Sequence, residues 1–143
     1  MSLLPTLALL FGLLDLAFAI FARNSMEFAV RQGVRYAVTS QTMPGLGQDD
    51  SIKSVVEKYA TGMLRLVSAG GTNQISINYY DPVSLALVSG TGSNVGGNIV
   101  VVSATGLSWA WMVPLLRDAA PLQFSVRSAD IMEATPLAGP PTR

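Results

Sequence analysis

One titratable residue stands where the sequence is otherwise apolar. Asp15 is the only charged residue from Ser2 to Ala22 in MSLLPTLALLFGLLDLAFAIFA. A carboxylate in such a run is expensive inside a bilayer, so it is expected to be neutral or paired. Elsewhere the catalytic vocabulary is thin, because the 143 residues include no His and no Cys. That removes the commonest general base, the usual metal ligands and any disulfide. An acidic pair such as Asp118 with Asp130 or Glu133 is what remains for acid–base work, and no spacing fixes their approach. The glycine-rich stretch SGTGSNVGGN, Ser89 to Asn98, lacks the Gly-Lys-Ser/Thr and the following helix of a phosphate loop and reads as a flexible hairpin loop. No enzyme activity, metal or cofactor is expected. Nine basic and nine acidic residues give zero formal net charge, and the basic ones are scattered, which argues against nucleic acid as a partner.

The element that carries Asp15 is long enough to cross a hydrocarbon core of about 30 Å as a helix. Pro5 sits in its first turns, where a missing N–H costs least. Ala17-Phe18-Ala19 mimics a small-x-small cleavage site, but there is no basic n-region and Asp15 interrupts the apolar segment, so the pattern is that of an anchor rather than a signal peptide. After Ala22 the run turns amphipathic. Arg23, Glu27, Arg31 and Arg35 form a charged stripe, with Glu27 placed to pair with Arg23 and Arg31. Met26, Val30, Val34 and Ala37, flanked by Phe28 and Val38, form a stripe that can pack on a domain. The helix is expected to stop between Thr39 and Gln41, before Met43-Pro44-Gly45.

A second helix is signalled by Asp49, Asp50 and Ser51. Its apolar face is Ile52, Val55, Val56, Tyr59, Ala60, Met63 and Val67, with Lys53 and Glu57 paired outside and Gly70-Gly71 at its end. Ile75, Ile77 and Tyr79 alternate with polar residues and, across Asp81-Pro82, pair in a hairpin with Val83, Leu85 and Leu87. Ile99 to Val102 reads as a central strand and Leu122, Phe124 and Val126 as the last. Between them, Trp109 and Trp111 fit a core edge, a subunit contact, an exposed platform or a membrane-interface belt. The fold class is therefore α+β: a long hydrophobic helix and a second amphipathic helix on a small antiparallel sheet of about four strands. Residues 1–41 make the membrane and assembly helix, 42–134 the helix-plus-sheet domain, and 135–143 a Pro/Gly-rich tail expected to stay unpacked.

Phe11-Gly12, the acidic Asp15 and Arg31-x-Gly33-x-Arg35-Tyr36-Ala37, in that order after Pro5, resemble the TadE-like pseudopilin family of tight-adherence pilus systems. IVVVSA at Ile99 and LQFSVRSADIMEA from Leu122 look like that family's closing strands. The resemblance implies a pilin-like structural subunit in the bacterial envelope, inserted by its first helix, with its sheet domain outside the cytoplasm. It would then polymerise with copies of itself into an extracellular filament, with the membrane and the pilus assembly machinery as its other partners. The alternative is a minor membrane-anchored pseudopilin, a primer or adaptor. The family's basic leader, cleavage-site glycine and following glutamate do not precede Pro5. The chain is thus expected to begin inside the mature helix, to have a misplaced start, or to escape the usual processing. The positive-inside rule alone would put Arg23, Arg31 and Arg35 in the cytoplasm, opposite to the pilin-like orientation.

On this reading Pro5, Ala8, Gly12, Asp15 and Arg23 are the assembly and helix-packing residues, with Ala17 and Ala19 as further small positions. Asp15 has two options. It meets Arg23 or the chain-start amine of a staggered neighbour, or it is a protonated acid bonded to a nearby backbone carbonyl or a family feature without an energetic role. Trp109 and Trp111 are the candidate surface or subunit contacts.

Overall fold

A computed structural model describes residues 3–113, 117–134 and 139–143. The elements are α1 (Leu3–Val38), α2 (Gln48–Tyr59), α3 (Met63–Val67), a 3-10 turn (Gly71–Gln74), β1 (Ile75–Tyr80), β2 (Leu87–Val88), β3 (Ile99–Trp109) and β4 (Leu122–Ile131). The strands form one antiparallel sheet in the order β2-β1-β3-β4. This is the expected α+β class, with the Ile99 run in the sheet's interior and the long apolar helix packed against the domain.

Helix α1 is continuous over 36 residues, a rod of about 54 Å. Its buried residues are Asp15, Ala19, Ala22, Met26, Ala29, Val30, Gly33, Val34 and Ala37. Successive steps of three and four keep them on one face. Most are small, so the backbone can lie close to its neighbours. At Gly33 an added Cβ would sit 2.5 Å from Val56 Cγ2 and 3.5 Å from Ile52 Cγ2, which is why α2 can cross there only over glycine. Glu27 pairs with Arg31 at 2.5 Å, one of the two partners expected of it. Phe28 is exposed and meets Tyr59 edge-on at 6.1 Å.

The second helix departs from expectation by breaking in two. Thr61 (φ 48°) and Gly62 (φ 84°) turn left-handed between α2 and α3, and glycine makes that reversal cheap. Ala60, Leu64 and Val67 stay in the core while Tyr59 swings out. Lys53 bonds Asp50, and Glu57 receives Arg65 instead of Lys53. The expected hairpin partner shrinks to Leu87–Val88, paired with Tyr80 and Tyr79. Val83 and Leu85 lie in an exposed turn, because Asp81 Oδ1 accepts from Val83 N (3.0 Å) and Ser84 N (2.7 Å) and closes the chain locally.

Two segments expected to be loose are tied down. In the glycine-rich loop, Ser93 and Asn94 are buried, and Asn94 Nδ2 donates to Gln48 Oε1 and, at 2.8 Å, to the Pro141 carbonyl. Residues 139–143 follow a path set by that contact and by Gln48 N donating to the Thr142 carbonyl at 2.7 Å. Arg143 then reaches Asp49 at 2.9 Å, donates to Ser93 Oγ at 2.7 Å and lies 4.8 Å from the centre of the Tyr79 ring. Residues 135–138 of the expected tail lie outside the described residues. Proline and glycine lower the propensity for regular structure, but they do not prevent docking where polar groups await them.

The central feature of the sheet is a bulge in β3. Ala104 pairs with Val126, yet the next pair is Leu107 with Phe124, so β3 carries one extra residue across Thr105-Gly106. Gly106 has φ 69°, and its carbonyl accepts from Gln74 Nε2 at 3.2 Å. Before the bulge the buried residues are Val100, Val102 and Ala104; after it they are Leu107 and Trp109. The extra residue shifts the alternation by one and turns Trp109 inward.

Gly33→Ala should lower the unfolding free energy by about 1–3 kcal/mol through overpacking against Val56, read from denaturant midpoints in detergent. Gly12→Ala should not, because an added Cβ there meets nothing within 4 Å. Tyr79 supplies a second expectation. Burial first, and then the charge and hydrogen bond of Asp49, hold its phenol well above the ordinary range. The folded state therefore keeps a proton that the unfolded state releases near pH 10, and stability should fall as pH rises above about 10. Tyr79→Phe should flatten that fall in alkaline unfolding curves.

Candidate functional site

The buried stripe of α1 ends at Asp15, which is 3% exposed. Trp109 Nε1 donates to its Oδ1 at 2.8 Å, and the backbone N–H groups of Met112 and Val113 donate to Oδ2 at 2.8 and 3.1 Å. Three donors converging on two oxygens solvate a carboxylate as water would, and charge-assisted bonds are the stronger kind. All three come from the same chain, 94 to 98 residues further on. Within the chain its partners are N–H donors, not the backbone carbonyl expected of a protonated acid.

Local folding explains how the donors get there. The bulge at Thr105-Gly106 points Trp109 at α1. The chain leaves β3 immediately afterwards, so Met112 and Val113 offer N–H groups that no strand uses. Trp111 has a separate role: its Nε1 donates to the Ala120 carbonyl at 2.9 Å, drawing the far side of the connection back on itself. The two tryptophans thus do not share a strand face. Trp109 is buried and Trp111 half-buried.

The remaining expected assembly residues lie on or beside the uncovered part of α1. Pro5 and Ala17 are exposed, Ala8 and Gly12 half-buried, and Arg23 exposed, while Ala19 is buried against the chain's own domain. Among the described residues, twelve large apolar side chains between Leu3 and Phe21 are exposed, from Leu3 at 74% to Phe21 at 55%. Helix α1 is long and apolar enough to cross a membrane, with a mean hydropathy of 2.2 in its most apolar window and only 11% of that window buried. Phe11, Leu14, Phe18, Met112 and Val113 line a groove of about 430 Å³ over Asp15. A second groove, beside Arg23, is lined by Ala19, Ile20 and the start of β4, Leu122 to Ser125.

The acidic pairing considered for catalysis does not form. Asp118 precedes β4, whereas Asp130 is next to its last residue and Glu133 lies just beyond it, and the eight steps from Leu122 to Asp130 span about 26 Å. Among the described residues no group of three or more His, Cys, Asp or Glu comes together as a metal site.

The model of the TadE-like protein family matches residues 3–35. That span holds Phe11, Gly12, Asp15, Arg31, Gly33 and Arg35 and stops within α1, so the match concerns the helix and does not reach the strands that also resembled the family. No curated protein and no solved structure matches the chain.

What sequence reasoning missed is the Asp15–Trp109 contact, although a signal for it exists. Continuing the expected packing stripe backwards from Met26 by helical steps gives Ala22, Ala19 and Asp15, so the carboxylate falls on the packed face rather than the free one. Gly106 inside a β-branched run is likewise a bulge signal. Asp15→Asn leaves one acceptor oxygen for three donors and should cost about 1–3 kcal/mol. Trp109→Phe should cost a similar amount, and the double variant less than the sum, measured as a double-mutant cycle on unfolding midpoints.

Proposed function

We propose that this chain is a structural subunit of an extracellular pilus-like filament, polymerised through the apolar N-terminal part of α1. The observation that carries the reading is the uncovered apolar surface of Leu3 to Phe21 on a helix whose following turns are fastened to a small sheet domain. Such a surface is satisfied by acyl chains before assembly and by sister helices afterwards. The similarity of residues 3–35 to TadE-like proteins supports a place in the envelope and a pilus-associated role. Gly12, with open space around its Cβ position, and Ala8 let neighbouring helices approach, and Pro5 shapes the start of the packed segment.

Asp15 acts in assembly by fixing the domain rigidly to the helix. Since three donors of its own subunit hold it, stagger between copies follows from the apolar surface and from Arg23 at its boundary. The second reading, a membrane-anchored minor pseudopilin that primes or adapts another subunit, uses the same surface. Imaging of purified fibres separates the two: helical fibres built of this chain alone are expected, and fibres of another subunit carrying traces of this one would establish the adaptor role. Asp15→Asn is expected to lower fibre yield by loosening the domain, with Trp109→Phe doing the same. Loss with Asp15→Asn and wild-type yield with Trp109→Phe would point to an intermolecular partner for Asp15.

A further inference from the structure

We infer that the end of the sheet domain, Trp111 to Val113 with Leu122, is itself a lipid-contacting element that sits in the membrane beside α1. The inference rests on the reading of α1 as a membrane helix, and it follows from how the domain is fastened to it. Exposed apolar residues on α1 continue to Phe21, and Arg23 is the first charge beyond Asp15, so the water boundary falls near Arg23. Asp15 lies eight residues nearer the N-terminus, about 12 Å further in along the helix axis. Because Trp109, Met112 and Val113 bond Asp15 directly, they share its depth. A helix placed with Arg23 at the headgroups takes this end of the sheet in with it.

The surface suits that location. Met112, 65% exposed, continues the apolar face of Phe11, Leu14 and Phe18 around Asp15, and Leu122, 40% exposed, stands beside Ala19 and Ile20 nearer Arg23. Apart from Asp15 itself, the groove is lined by apolar residues, as an acyl chain would require. Polar backbone and ring groups survive in hydrocarbon only when satisfied internally. Here the indole N–H groups of Trp109 and Trp111 and the amides of Met112 and Val113 all have partners within the chain. Arg117 and Asp118, exposed further along the same connection, set the limit of immersion, since charged groups stay at headgroup level. The occupant is therefore the acyl region of one leaflet.

The sequence provides clean probes, because the chain has no cysteine and both tryptophans lie in or beside this element. The full chain would be reconstituted at low density in phosphatidylcholine–phosphatidylglycerol vesicles as Met112→Cys or as Val83→Cys, the latter at a 91% exposed turn. Labelling by a membrane-impermeant maleimide should be about tenfold slower at position 112 than at 83, equivalent to about 1.4 kcal/mol. Wild-type tryptophan fluorescence should be quenched by lipids brominated along the acyl chain. Equal labelling rates together with no bromolipid quenching would overturn the inference, as would protection of position 112 seen only at high protein density, which would identify a second copy as the cover. Flotation with the vesicles after carbonate washing reports on α1 separately. Protein that floats yet labels freely at 112 refutes only the sheet-end contact, whereas protein that does not float refutes the membrane reading beneath it.

Discussion

The placement of the sheet on its helix depends on one buried carboxylate and the three N–H groups that hold it. An anion at Asp15 without those donors would be far costlier than the loss of any single apolar contact along α1. The interaction is long-range in sequence and short in space, so it couples the register of β3 to the azimuth of α1. With Trp109 bonded to Asp15, the stripe Ala19, Ala22, Met26, Val30 and Val34 necessarily faces the sheet. The opposite face of the helix is left uncovered.

Two small-residue devices make that contact possible. Gly33 lets α2 approach α1 so closely that a methyl group would collide with Val56. Gly106 allows the bulge that reverses the alternation of β3 and brings Trp109 to the helix side. At the other end of the domain, Arg143, Asp49, Tyr79, Ser93 and Asn94 join the last residues to α2, β1 and the glycine-rich loop. The domain is therefore closed at both ends by polar contacts around an apolar middle. A body that must be carried rigidly by its helix gains from such closure, because polar contacts fix orientation where apolar packing alone permits sliding.

For function, the consequence is a division of labour along one helix. From Arg23 onward, α1 is an ordinary amphipathic core helix, one face on the domain and a charged stripe outside. Before Phe21 it is apolar nearly all round and mostly uncovered. Between Asp15 and Ala22 the two roles overlap, since the domain covers one face while the others remain free. That overlap places the end of the sheet beside the uncovered apolar part of α1.

Local physics was enough for much of this. The length and end of α1, its packing stripe, the alternation of β1 and the interior position of the Ile99 strand all follow from periodicities of 3.6 and 2 and from the residues that stop them, because each depends only on neighbours in sequence. Residues 3–35, which match the TadE-like model, are also the part whose pattern is strongest. The sequence singled out Asp15 as costly but could not say what would meet it, since its donors lie 94 residues away and reach it only after a bulge whose geometry is set by strand pairing. The break at Thr61-Gly62, the shortening of the second hairpin strand and the docking of Arg143 were decided in the same way, by tertiary contacts that outweigh local propensity. Composition and spacing thus determined an apolar helix bearing one carboxylate. Only the folded chain decided that the carboxylate belongs to the domain, because a buried charge is satisfied by whichever donors three-dimensional packing brings within reach.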